Sequence, residues 1–127
     1  MKIKILNIIS PANYKEFTRV LTDDGIIAKI VPKSNYLKEI RTSIQGNIKN
    51  NDYDNKNIVA VFKKHLNVVY ENRINYKTDI SVLNLMNLVK MTPLTSTLDE
   101  EEILRLIKSG ISNITIDLRV MVGTLKR

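Results

Sequence analysis

From Ile114 to Val122 the chain alternates without a break. Ile114, Ile116, Leu118, Val120 and Val122 take one set of positions, and Thr115, Asp117, Arg119 and Met121 take the other. A period of two over nine residues fits a half-covered β-strand and no helix. Just upstream the period changes. Ile103, Leu106 and Ile107 share a helical face behind Thr97-Leu98-Asp99-Glu100, a capping-box pattern, and Gly110 stands where a helix C-terminus takes glycine. Both periods within thirty residues predict an α+β domain.

The rest of the chain repeats the mixture. Residues 2–9 and 26–31 are short Ile-rich runs that read as strands. Ser10-Pro11 offers a cap and a first-turn proline for a helix carrying Tyr14, Phe17, Val20 and Leu21, which Asp23-Asp24-Gly25 ends. Ser34 can cap a second helix with Leu37, Ile40, Ile44 and Ile48 on one face. Residues 47–57 are polar and read as a loop. Ile58, Val61, Phe62, His65, Leu66 and Val69 again follow helical spacing, although 68–77 reads equally as extended, and 79–91 fits helix or strand. With 127 residues, the expectation is one domain over 1–127. Its sheet is mixed or antiparallel, packed by three to four helices.

Composition removes several chemistries. There is no Cys and one His, so disulfides, thiolate metal sites and Cys nucleophiles are out, and a zinc site would need three carboxylates. His65 lies on an apolar helix face, the place of a packed or partly exposed structural histidine. Residues 52–57 superficially resemble a calcium loop, but Lys56 falls on a ligand position and the turn glycine is missing. Asp99 to Glu102 point around a helix axis and suit its positive end better than a metal. Asn113-Ile114-Thr115 matches a glycosylation sequon but has no secretory signal beside it. The strand–helix–strand start lacks a Gly-rich phosphate loop. No catalytic, cofactor or metal residue emerges, and the expectation is a non-enzymatic protein without cofactors.

The net charge is +7, with nine Lys/Arg against four Asp/Glu in the first fifty residues. Such a balance suits nucleic acid or an acidic partner, although scattered lysines that merely solvate a surface are the plainer reading. The best nucleic-acid contacts are Lys63, Lys64, Tyr70, Arg73, Tyr76 and Lys77, cations interleaved with rings. The apolar set of the last strand predicts a face covered by helices. Thr115, Asp117, Arg119 and Met121 then form a mixed outer face suited to a protein partner if the strand lies at an edge; the plainer alternative is a central strand paired on both sides, with Asp117 and Arg119 merely solvated.

Over roughly 57–122, an amphipathic helix is followed by Glu71-Asn72-Arg73, an extended segment, an apolar segment and Met91-Thr92-Pro93-Leu94-Thr95. A capped helix and a final strand then close the chain. This order resembles the sheath-initiating baseplate wedge proteins of contractile phage tails. It departs from them at Asn75-Tyr76-Lys77-Thr78-Asp79 and at Ser109-Gly110-Ile111-Ser112, and the first fifty residues have no counterpart. The resemblance implies a structural or assembly protein of a virion, in tail, baseplate or head–tail region, with other subunits as partners and Arg73 as an ion-pair residue. It places the chain in a virion or host cytoplasm, neither secreted nor membrane-spanning. The alternative is a basic nucleic-acid-binding accessory protein.

Overall fold

A computed structural model describes residues 2–45, 55–92, 95 and 98–126. The order is β1 (Lys4–Ile8), α1 (Tyr14–Val20), β2 (Ile26–Pro32), α2 (Lys38–Gln45), α3 (Lys56–His65), β3 (Leu66–Asp79), α4 (Val82–Met91), α5 (Glu100–Ile107) and β4 (Asn113–Leu125). The four strands form one mixed sheet in the order β1-β2-β4-β3. β1 and β2 are parallel, with Asn7 opposite Lys29, and β2 and β4 are antiparallel, with Lys29 opposite Met121. This is an α+β fold with a mixed sheet, and its described residues hold five α-helices rather than three or four. Among them, no helix is long and apolar enough to cross a membrane.

The chain divides into two compact units, and the backbone passes between them four times. The first takes in the described residues of 1–34, 53–74 and 117–127, and the second those of 35–52 and 75–116. The apolar core of the first unit is Leu21, Ile27, Phe62, Leu66 and Met121, with Tyr14, Phe17 and Val59 packed against it from α1 and α3. Gly123 makes that packing feasible, because a Cβ there would stand 2.9 Å from Phe62 Cζ and 3.0 Å from Leu66 Cβ. The core of the second unit is Leu37, Ile40, Leu85, Val89, Leu106 and Ile114.

Several helix ends differ from expectation. α1 starts three residues after Pro11, because Asn13 Oδ1 accepts from Glu16 N at 3.2 Å and supplies the cap. Ser10 is spent elsewhere, accepting from Asn7 Nδ2 at 3.1 Å. α3 ends at His65 and passes straight into β3, so the extended reading of 68–77 holds. Residues 82–91 are helical, capped by Ser81, whose Oγ accepts from Asn84 N at 3.2 Å. The capping box exists two residues downstream of its expected place, between Asp99 and Glu102. Thr97, Ile48, Pro93 and the residues 52–54 of the calcium-like stretch lie outside the described residues. Gly110 has φ 89°, the left-handed conformation that glycine supplies after a helix.

In the second unit, Glu39 of α2 receives both Thr115 N (2.8 Å) and Thr115 Oγ1 (2.6 Å). Burial pushes the Glu39 carboxyl up, but the Thr115 hydrogen bonds and the Lys38 charge together outweigh it and hold it below its ordinary 4.5. A carboxyl depressed in the folded state contributes stability that is present above its unfolded value and lost as pH falls through the folded one. Denaturant titrations from about pH 6 to about pH 3 should therefore show an acid-side loss that Glu39→Gln makes shallower. Identical slopes for the two proteins would remove Glu39 from the acid response.

Candidate active site

In an open sheet with parallel strands, ligands collect beyond the carboxyl ends of those strands. Here those ends are Ile8 and Pro32, and a cavity of about 550 Å³ opens beside them. Its walls include Ile9, Pro11, Tyr14, Pro32, Ile58 and Val61. Ser10, Lys29, Asn55 and Asn57 supply the polar groups. An apolar cavity with a few convergent polar groups is the usual form of a small-ligand site.

The turn that forms this rim is strained and braced. Ile9 has φ 46°, a conformation that a β-branched residue rarely adopts, and its N–H still donates to Ile30 O at 2.9 Å. Asn7 is buried and sits opposite Lys29 in register, so both side chains leave the sheet on the same face. Lys29 Nζ donates to Asn7 Oδ1 and, at 3.1 Å, to Ser10 O. Asn7 Nδ2 donates in turn to Ser10 Oγ and, at 2.9 Å, to Pro11 O. Two polar residues from adjacent strands thus fix Ser10 and Pro11. Burial lowers the Lys29 ammonium below its ordinary value.

Tyr14 stands at the cavity with its ring stacked on His65, centroids 4.6 Å apart and planes 4° from parallel. Burial raises the Tyr14 phenol. His65 Nδ1 lies 2.9 Å from Val61 O, and the imidazole is exposed at the end of α3. It backs Tyr14 from the exposed end of the helix.

A second cavity of about 440 Å³ has Lys33, Lys56, Lys63 and Arg119 in its walls, together with Ser34 and Asn55. Glu71 bridges Lys63 Nζ (3.4 Å) and Arg119 Nη2 (2.7 Å). The Arg119 hydrogen bond and the neighbouring charges of Arg119 and Lys63 hold the Glu71 carboxyl below the usual carboxylate range.

No family model matches the chain. Over 119 residues it is 31% identical to a Bacillus subtilis (strain 168) protein named "Putative 23S rRNA (guanine-N(1)-)-methyltransferase YxjB". That alignment covers 94% of this chain and 42% of the relative, so the chain spans about two-fifths of the relative's length. The match is to a protein named as an enzyme.

This similarity overturns the baseplate-wedge resemblance. With it go the virion structural role, the phage-assembly partners, the non-enzymatic reading and the nucleic-acid-binding accessory alternative. The resemblance rested on an order of helices and strands over residues 57–122, and such an order recurs among unrelated α+β chains. The new match runs through the first fifty residues as well, where the wedge family had no counterpart. Arg73 is an ion-pair residue on geometric grounds: its Nε and Nη2 donate to Asp117 at 2.8 and 3.0 Å.

The residues expected to meet a protein partner all find partners inside the chain. β4 is a central strand, paired by β2 and β3. Thr115 and Asp117 are buried, bonded to Glu39 and Arg73, and Arg119 is half-buried against Glu71. Met121 has no exposed surface. Leu118, Val120 and Val122, expected under helices, are only half-buried. The physical reason is that polar groups enter a core when they are paired there, so polarity alone does not name the wet face.

Of the expected nucleic-acid contacts, Lys63 lines the second of these two cavities. Lys64, Tyr70, Tyr76 and Lys77 are exposed, Tyr70 accepting from Asn72 Nδ2 at 3.0 Å, and Arg73 is committed to Asp117. Asn7 and Lys29, which brace the first cavity, were visible in the sequence only as single polar residues inside two apolar strands.

Proposed function

We propose that this chain carries the base-holding part of an RNA methyltransferase that acts at N1 of a guanine. The observation that carries the reading is the similarity, along 94% of the chain, to a protein named for that reaction on 23S rRNA. The cavity beyond β1 and β2 supports it. Pro11, Pro32, Ile58 and Val61 offer apolar walls for a flat heterocycle, Tyr14 a ring at its margin, and Ser10 and Asn57 polar groups for its edge.

N1 lies on the Watson–Crick edge, so a paired guanine must leave its helix before it can react. The transfer forms a bond from N1 to the methyl carbon, breaks the bond from that carbon to the donor, and releases the N1 proton. The part of this chain is to hold the ring and keep water from it. The braced turn at Ile9-Ser10-Pro11 serves that part by keeping its backbone in one place before the base arrives, so little ordering remains at the moment of binding. A cytoplasmic location belongs to this proposal, since that is where bacterial rRNA is made and modified.

A methyl group at N1 blocks base pairing and stops reverse transcription. Primer extension on 23S rRNA from cells carrying the gene should show a stop at one guanine, and disruption of the gene should abolish it. An unchanged pattern of stops after disruption overturns the reading.

A further inference from the structure

The second cavity has four cations in its walls, and the acid beside it, Glu71, is shared between two of them. Lys33 follows β2, Lys56 and Lys63 lie two turns apart on α3, and Arg119 comes from β4. Three separated stretches of sequence therefore deliver four cations to one concavity. Like charges held this close repel, and an anion between them relieves that repulsion. Ser34 and Asn55 add neutral polar groups to the same wall. Asn55 makes no capping hydrogen bond to α3, its Nδ2 donates to Pro32 O, and the first turn of α3 carries no acidic residue.

Asn55 lines both cavities, so the cationic one adjoins the one assigned to the base. A nucleotide has the same two parts side by side, a flat ring and a phosphate. We propose that the cavity of Lys33, Lys56, Lys63 and Arg119 is a phosphate-binding subsite, which holds a backbone phosphate beside the guanine when RNA is bound. Its place beside a base rests on the methyltransferase reading, while its affinity for phosphate does not. Glu71 keeps Lys63 and Arg119 aimed at the cavity while no anion is there.

The test uses the full chain and a double variant, Lys33→Gln with Lys56→Gln, both replacing exposed or half-exposed side chains. Lys90→Gln, on α4, is the control. Binding of a single-stranded RNA that contains guanine is followed by fluorescence anisotropy across a range of salt concentrations. Each phosphate neutralised contributes about 0.7 to the slope of log K against log salt. The double variant should lose about 0.7 from that slope and bind severalfold more weakly at low salt, with Lys90→Gln unchanged. Equal slopes for the double variant and the wild type, or an equal loss in Lys90→Gln, overturn the proposal.

Inorganic phosphate alone separates the sources of the ligand. It should shift the amide resonances of residues 55–60 in the wild type and not in the double variant. Such shifts without any change of RNA slope would assign the cavity to free phosphate and overturn its role toward RNA. A guanine-free RNA distinguishes this proposal from the one it rests on. The same loss of slope with equal affinity for both RNAs upholds the phosphate subsite and removes the base cavity. An unaltered slope alongside a guanine stop that depends on the gene does the reverse.

Discussion

Met121→Glu should leave the chain unfolded, or close to it, at room temperature. Met121 has no exposed surface and packs among Leu21, Ile27, Phe62 and Leu66. The cation opposite it on β2, Lys29, is already committed through Nζ to Asn7 Oδ1 and Ser10 O, and a buried charge left uncompensated costs roughly 3–5 kcal/mol. Loss of the methionine's own packing adds about 2 kcal/mol or more. The whole stability of a domain is about 5–15 kcal/mol, so this single change consumes most or all of it. Met121→Leu nearly conserves volume and should cost less than about 1.5 kcal/mol. Denaturant midpoints for the two variants check the contrast. A folded Met121→Glu protein with an unshifted midpoint would mean that β4 turns this face to solvent.

The second large effect belongs to Asn7. Asn7→Leu keeps the strand's pattern and improves its apolarity, yet it should destabilise the first unit by roughly 2–4 kcal/mol. The substitution removes the Oδ1 acceptor from a buried Lys29 ammonium, leaving Ser10 O as the remaining acceptor described above. It also releases Ser10 Oγ and Pro11 O from the Asn7 amide. The sign of its pH dependence is fixed. Lys29 has a folded pKa below its unfolded 10.5, so the unfolded chain binds more protons in that window, and stability rises with pH there. Removing Asn7 Oδ1 depresses the folded value further, so the deficit of Asn7→Leu should shrink as pH rises toward 10.5. Adding Lys29→Met should recover part of the loss, because the orphaned charge goes with it. Full additivity of the two substitutions would show that Asn7 and Lys29 do not act as a pair.

Those two residues also show how far the sequence could be read. The strand at 26–31 was legible as an apolar run between Gly25 and Pro32, and that at 113–122 from its unbroken alternation. The helix at 58–65 was legible too, but not its end. Leu66 and Val69 continue the helical spacing by coincidence, while Leu66 and Val68 serve the first unit's core from β3. Which face of β4 is covered was not legible at all. The alternation was plain, but Asp117 and Thr115 are buried because Arg73 and Glu39 reach them from 44 and 76 residues away. Ion pairs at that separation have no local signature. The candidate site failed for the same reason. Asn7 and Lys29 are 22 residues apart and meet only because β1 and β2 are parallel in one particular register. Cations of the second cavity come from three stretches that no window of sequence unites.

The two borders of the sheet are unlike. β3 forms one border and is studded with Glu71, Arg73, Lys77 and Asp79, charges that discourage a second strand from settling there. β1 forms the other, and among the described residues no strand pairs with its outer side. Its Leu6 is 72% exposed and its Ile8 54% exposed. Two molecules that met along β1 would satisfy one another's open N–H and C=O groups and hide four apolar side chains in the same step. Such an encounter is bimolecular, so its rate climbs with the square of concentration. For the chain handled alone, losses through this border should therefore track how crowded the solution becomes rather than how stable each molecule is.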